Sequence, residues 1–362
     1  MVVKVGSGLI ASPERGLDGT TIGALTDDLA GLMSDGKEVA LVSSGAIASG
    51  AARLGLARRP RSIPEKQATA AVGQSALMWH YEQAFARHGV KVAQVLLTQD
   101  DISHRSRYLN ARNTLLTLLR FRVLPVVNEN DTVAVEEIKV GDNDNLSALV
   151  AHLIDAELLV LLTDVDGLYT GDPRRDPAAR RIETVEAVTD DLLRMVGERA
   201  GEFSVGGMLT KLEAAQKATA SGIPMVIASG REPGVLRRLF KGEPVGTYFL
   251  PKGDRLAARK RWIAFAVPPQ GRLTVDAGAR KALTERGRSL LPSGVVEVEG
   301  EFRSGEVVAL TMSDGKEFAR GLVNYDAGEL RRIQGAKSAA IEQVLGYKSF
   351  DEVIHRDNLV VL

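Results

Sequence analysis

Over roughly the first 250 residues, apolar positions follow two alternating patterns. Residues 2–5, 39–43, 92–97, 123–127, 158–163 and 225–228 are short, near-continuous apolar runs rich in β-branched side chains. Such runs suit parallel strands that are covered on both faces. Between them, apolar residues recur with helical spacing. Ile22, Leu25, Leu29, Leu32 and Met33 form one stripe, closed by Gly36. Leu77, Tyr81 and Phe85, with Met78 beside them, form a second, closed by Gly89, and Leu146, Leu149, Val150 and Leu153 form a third. This alternation predicts an α/β domain around a mostly parallel central sheet over residues 1–250. The pattern then changes. Residues 251–271 begin basic and are rich in turn formers, which reads as a linker. From 272 to 362, short alternating runs such as 296–299 and 307–312 are separated by turns at Ser304-Gly305 and Ser313-Asp314-Gly315. They predict a small, largely antiparallel β-domain.

Composition narrows the function classes. Of 362 residues, 44% are hydrophobic and 25% charged, enough to build a sizeable core. Forty-six basic residues balance 46 acidic ones, so no global field draws in nucleic acid or an anionic membrane. With no cysteine, disulfides, thiolate nucleophiles and cysteine-ligated metals are excluded. The opening MVVKVGSGLI lacks a long apolar signal core, and no apolar run approaches the ~18 residues of a membrane span. The expectation is a cytoplasmic protein.

The polar residues at the ends of the predicted strands carry the chemistry. A Walker phosphate loop is absent. Lys4 instead sits inside an apolar strand just before Gly6-Ser7-Gly8, and a buried ammonium there must find a partner. Ser43-Ser44-Gly45 repeats the strand–turn–helix design, where free helix N–H groups can face an anion. Asn128-Glu129-Asn130-Asp131 follows another strand, and Asp142-Asn143-Asp144-Asn145 leads into the third helical stripe. Such dense polar clusters beside core elements destabilise the fold unless their groups find partners, which marks a ligand site. Thr163-Asp164 closes a further strand. Gly206-Gly207-Met208-Leu209-Thr210-Lys211 opens a helix and sets a lysine in its first turn, against the helix dipole. A bound polyphosphate would correct that mismatch.

Taken together, the words VVKVGSG, SSGAI, NEND, EIKVGDNDNLSA, LLTDVDGLY, GGM-x-TK, ARKRWI and RGRSLLP run in order along nearly the whole chain. They resemble the glutamate 5-kinases of the amino acid kinase family, and the C-terminal β-domain looks like a PUA domain. The resemblance implies a three-layer α/β/α fold, ATP with Mg²⁺ as phosphoryl donor and L-glutamate as acceptor. It implies contact of Lys4 with the nucleotide phosphates, and glutamate binding by Ser44, Asp131 and Asn143. Thr163, Asp164 and the loop Val205, Gly206, Gly207, Met208, Leu209, Thr210 and Lys211 would line the nucleotide site. Val205 and Leu209 depart from the family pattern, which usually has threonine and a small or polar residue there. Feedback inhibition by proline and a homo-oligomer are further implied properties.

The acceptor carboxylate, with a reference pKa of about 4.3, is ionised at neutral pH and needs no general base. His80, His88, His104, His152 and His355 show no metal-ligand spacing, and no protein-borne metal site is expected. The task is to bring two anions together, for which Lys4, Lys211 and Asp144 are the catalytic candidates. Asp144 orients one or both lysines or caps the following helix, and Asp142 or Asp144 helps position the metal. A rival reading makes the chain an RNA-binding regulator through its PUA-like domain. Residues 272–362 carry 13 basic and 14 acidic residues, however, a net charge of −1 and no basic footprint. A second rival is a related kinase acting on aspartate or an acetylated amino acid.

Overall fold

The computed structural model describes residues 1–12, 16–58, 60–103, 105–133, 143–171, 173, 176–199, 205–251, 253 and 268–362. Asp142, His104 and the basic stretch 254–267 therefore lie outside the described residues. The chain divides into two units, Met1–Ser103 with Ala111–Lys252, and His104–Asn110 with Gly253–Leu362.

The first unit is built on strands β1 (Val2–Val5), β2 (Ala40–Ser43), β3 (Val92–Leu97), β4 (Leu124–Glu129), β5 (Leu159–Thr163), β6 (Thr184–Val185), β7 (Met225–Ser229) and β8 (Thr247–Phe249). They form one sheet in the order β6-β8-β7-β5-β1-β2-β4-β3. Every neighbouring pair is parallel except β7 with β8. All six apolar runs are strands. Strand β4 extends past its apolar run because Asn128 and Glu129 continue the ladder opposite Leu96 and Leu97. Strands β6 and β8 have two and three residues, too few for a periodic pattern to register; partner strands define them.

Period-two alternation sorts the sheet into faces. Val3 and Val5, with Leu41, Val126, Val160, Leu162 and Val226, pack against Leu25, Leu29, Leu77, Tyr81 and Phe85. Those helical residues belong to α1 (Gly19–Ser34) and α3 (Ile63–Ala86). Lys4, between Val3 and Val5, points to the opposite face, where α5 (Asn143–Leu153) and α6 (Val205–Ala220) lie; α2 (Ala46–Arg53) and α4 (Arg105–Arg120) complete the set named here. The result is the expected three-layer α/β/α arrangement. Local chemistry starts the helices: Asp18 caps α1 through the Thr20 and Thr21 amides, and Ser62 with Glu65 forms a capping box on α3.

One helix crossing bears directly on the site. A Cβ added to Gly73 of α3 would lie 1.8 Å from the Ala46 carbonyl oxygen, and one on Gly50 of α2 would lie 1.9 Å from the Thr69 oxygen. The two backbones touch, so α3 is locked against the helix that follows Ser43-Ser44.

The second unit has strands β9 (Gly271–Val275), β10 (Val295–Gly300), β11 (Val307–Thr311), β12 (Glu317–Leu322) and β13 (Leu359–Val361), in the order β10-β9-β11-β12-β13. Only β9 with β11 is parallel among these pairs. Its own core gathers Leu273, Leu283, Leu310, Tyr325, Leu330 and Ile333. Arg331 donates to the Gly300 carbonyl and pairs with Glu301, and Arg332 donates to the Val344 carbonyl. These arginines serve the unit's internal contacts.

Candidate active site

Strand β1 lies mid-sheet between β2 and β5, so Lys4 enters the interior, and its side chain is 8% exposed. An ammonium at that depth destabilises the fold unless paired. Asp144, in the first turn of α5 and 3% exposed, supplies the partner: Lys4 Nζ lies 2.5 Å from its Oδ1. Lys211 of α6, 11% exposed, reaches the same carboxylate, with Nζ 3.1 Å from Oδ2. Thr210 donates to Oδ2 at 3.0 Å, and Lys211 also donates to the Gly207 carbonyl at 2.8 Å. The α5–α6 contact that brings these groups together is itself polar. Asn145 donates to Glu213 and accepts from Lys217.

This geometry corrects one expectation. Helix α6 begins at Val205, so Lys211 falls in its second turn, and Asp144 relieves its charge. Helix α5 begins at Asn143, which places Asp144 inside the first turn and outside the capping position. Its two oxygens are each taken by a lysine. Burial alone would raise the Asp144 carboxyl, but the charges and hydrogen bonds of Lys4 and Lys211 outweigh it and hold the group below the ordinary range. Among the described residues, two cations thus share this one buried anion.

Next to it lies a chain of amides. Asn143, 6% exposed, donates through Nδ2 to the Ser43 carbonyl at 3.1 Å, to Ser44 Oγ at 2.9 Å and to Asn128 Oδ1 at 2.9 Å. Asn128 in turn donates to Gln74 Oε1 at 2.8 Å, and Ser43 Oγ shares a hydrogen bond with the buried Tyr81 hydroxyl. Ser44, Asn143 and the end of β4 are thereby joined. Gln74 went unnoticed in the sequence, and Tyr81 was read only as part of the apolar stripe of α3, because a polar atom gives no periodic signal there. Asp131 stands two residues beyond β4, half-buried. Burial, with the negative charge of Glu129 adding to it, pushes its carboxyl up to about 6.

Thr163 ends β5, buried, and donates to Asp164, which is exposed. Gly207 is exposed, and a Cβ added there, or on Gly8 beyond β1, would meet nothing within 4 Å. Neither glycine is required by packing, and both leave room for a bulky anion beside Lys4 and Lys211. Met208, Leu209 and Thr210 are half-buried, while Val205 and Gly206 are described only in their helical backbone. Among the described residues, no group of three His, Asp or Glu side chains could hold a metal ion, and no helix is long and apolar enough to cross a membrane.

The amino acid kinase family model matches residues 1–229. The chain belongs to the amino acid kinase family. A PUA domain model matches residues 271–345 of this family member. A glutamate 5-kinase of Syntrophotalea carbinolica is 52% identical over 361 residues, covering 100% of this chain and 96% of the relative. The glutamate 5-kinase of Paraburkholderia phymatum is 53% identical over 362 residues, covering 100% and 97%. Among solved structures, carbamate kinase from Giardia lamblia bound to AMP-PNP shares the fold, with a TM-score of 0.50, 19% identity, and coverage of 69% of this chain and 97% of that one.

Proposed function

We propose that this protein transfers the terminal phosphoryl group of ATP to the side-chain carboxylate of L-glutamate, forming L-glutamyl 5-phosphate and ADP in the first step of proline biosynthesis. One observation carries the reading: end-to-end identity of 52–53% with proteins named glutamate 5-kinase. The geometry of the site agrees with the chemistry this requires.

A carboxylate oxygen of glutamate attacks the terminal phosphorus, the bond to the bridging oxygen breaks, and that oxygen leaves on ADP. No proton moves, so the site needs charge and alignment. Lys4 and Lys211 supply the charge. Because Asp144 holds both ammonium groups, they are oriented before the anions arrive, and little reorganisation accompanies the reaction. Mg²⁺ enters as part of MgATP and neutralises phosphate charge. Asp144 has both oxygens engaged by lysines, and the metal would come with the substrate MgATP. Thr163, Asp164 and the segment Val205–Lys211 line the nucleotide side. Ser44, Asp131 and Asn143 line the amino acid side, Asp131 receiving the α-ammonium group.

In this proposal the kinase domain spans residues 1–250, a linker 251–271 and the PUA-like domain 272–362. The protein works as a cytoplasmic homo-oligomer inhibited by proline. Incubation with MgATP, hydroxylamine and glutamate, aspartate or N-acetylglutamate tests the central reading. A hydroxamate with glutamate alone is expected. Hydroxamate from another acid would move the protein to a different acceptor, and none from any acid would refute the kinase reading.

A further inference from the structure

The amide chain has a direction, and one atom sets it. The Ser43 carbonyl can only accept, so the Asn143 atom 3.1 Å away must be the amide nitrogen. The Asn128 atom facing that nitrogen must then be its oxygen, which turns the Asn128 nitrogen to Gln74. Gln74 must meet it with Oε1. A backbone carbonyl at the end of β2 thus orients three buried side chains in series. Two atoms are left over. Asn143 Oδ1 and Gln74 Nε2 are buried with no hydrogen-bond partner among the described residues.

A buried amide oxygen without a donor is destabilising, and native proteins seldom leave one without reason. Asn143 is held at the entrance to α5, next to Ser44 and beside Asp144, the residue that organises both lysines. What its free oxygen lacks is a donor. The proposed substrate brings one in its α-ammonium group.

We propose that Gln74 is a specificity-determining positioning residue: through Asn128 it holds the Asn143 amide with its free carbonyl oxygen available to the α-ammonium of the acceptor amino acid. This rests on the reading of the protein as a glutamate kinase. Gln74 is suited to the task because α3 cannot shift. Its neighbour Gly73 is in backbone contact with Ala46 and Gly50, so Gln74 Oε1 is delivered at a set distance from the Ser43-Ser44 turn. Without an acceptor there, the Asn128 nitrogen has no partner. Asn128 then loses its anchor on α3, and the oxygen it presents to Asn143 is no longer held at a set position.

The test is a double-mutant cycle on the full chain, with L-glutamate and glutarate as acceptors; glutarate has both carboxylates and no amine. Gln74→Met preserves length and removes the acceptor. Its glutamate KM should rise at least tenfold, with a smaller change in kcat, and its preference for glutamate over glutarate in kcat/KM should fall by a similar factor. Gln74→Glu keeps an oxygen for Asn128 and should retain most of the preference. In an N128D background the side chain facing Asn143 presents an oxygen whatever residue 74 is, so adding Gln74→Met should change the preference less than threefold. An equal loss in both backgrounds would mean that Gln74 only packs, and would overturn the proposal. So would an unchanged preference in Gln74→Met. If Gln74→Met does not fold, the proposal stands or falls on Gln74→Glu: retained preference supports it, and loss of preference with normal thermal stability overturns it. Failure of the unsubstituted protein to phosphorylate glutamate would instead refute the kinase reading itself.

Discussion

Asp131 offers a quantitative test of how the acceptor is held. Its carboxyl is pushed up to about 6, first by burial and then by the negative charge of Glu129. An ammonium group binds the ionised form, so binding must compete with protonation. The apparent glutamate KM then scales as one plus the ratio of proton concentration to the acid constant. With a value of about 6, KM should rise by about tenfold between pH 7 and pH 5, equivalent to ~1.4 kcal/mol. The substrate's own side-chain carboxyl, at about 4.3, stays largely ionised over this range and cannot supply the effect. Release of ADP at saturating MgATP, measured from pH 5 to 8, gives KM directly without relying on a labile acyl phosphate. Asp131→Asn should bind glutamate more weakly at every pH, with a nearly flat KM profile. A flat profile in the unsubstituted protein, or the same slope in Asp131→Asn, would sink the argument. The linkage to stability has the opposite sense from that of a salt-bridged carboxylate. A group raised above 3.8 on folding contributes stability while protonated, and that contribution is lost as pH rises through about 6. Bound glutamate should therefore raise Tm more at pH 7.5 than at pH 5.

Lys211→Ala should lower kcat by about a hundredfold or more while changing glutamate KM little, because its ammonium serves the transition state more than acceptor binding; steady-state kinetics with unchanged turnover would remove Lys211 from the mechanism. Asp144→Ala strands two ammonium groups among buried atoms, a loss of about 3–5 kcal/mol, and should lower Tm by roughly 10 °C. The Asp144 carboxyl is held below its ordinary 3.8, so its stabilising effect is present above that pH and fades as pH falls through the folded value; acid melts of the protein and the variant should converge there. Gly73→Ala should cost more than ~2 kcal/mol and reduce activity, because its Cβ would fall 1.8 Å from the Ala46 oxygen and force α3 from the turn beside Ser44; a thermal melt within 1–2 °C of the unsubstituted protein would show that the crossing is soft.

The linear pattern alone determined the architecture's parts. Six strands, the helical stripes and the change to a β-rich domain were all legible, because period is a local property of consecutive residues; the edge position that leaves β3 only partly buried was not. The same holds for candidate chemistry at strand ends: Lys4, Ser44, Asn143, Asp144 and Lys211 each stood out as polar groups where core elements stop. Even so, the lysine at 211 read as a defect of its own helix. Asp144, 67 residues away, was one candidate to hold it, and the fold brings the two within hydrogen-bonding distance. Among the three readings of Asp144, the ion pairs with ammonium groups arriving from β1 and α6 support the proposed one, an organiser of the lysines. Strands β6 and β8 escaped notice because pairing, and not sequence, makes two or three residues a strand. Gln74 escaped because its significance lies in a hydrogen bond to Asn128, 54 residues along the chain. A sequence can show that a polar group needs a partner, since the cost of burial belongs to that residue alone. Which partner meets it depends on directions and distances between elements, and those exist only once the sheet and its helices have packed.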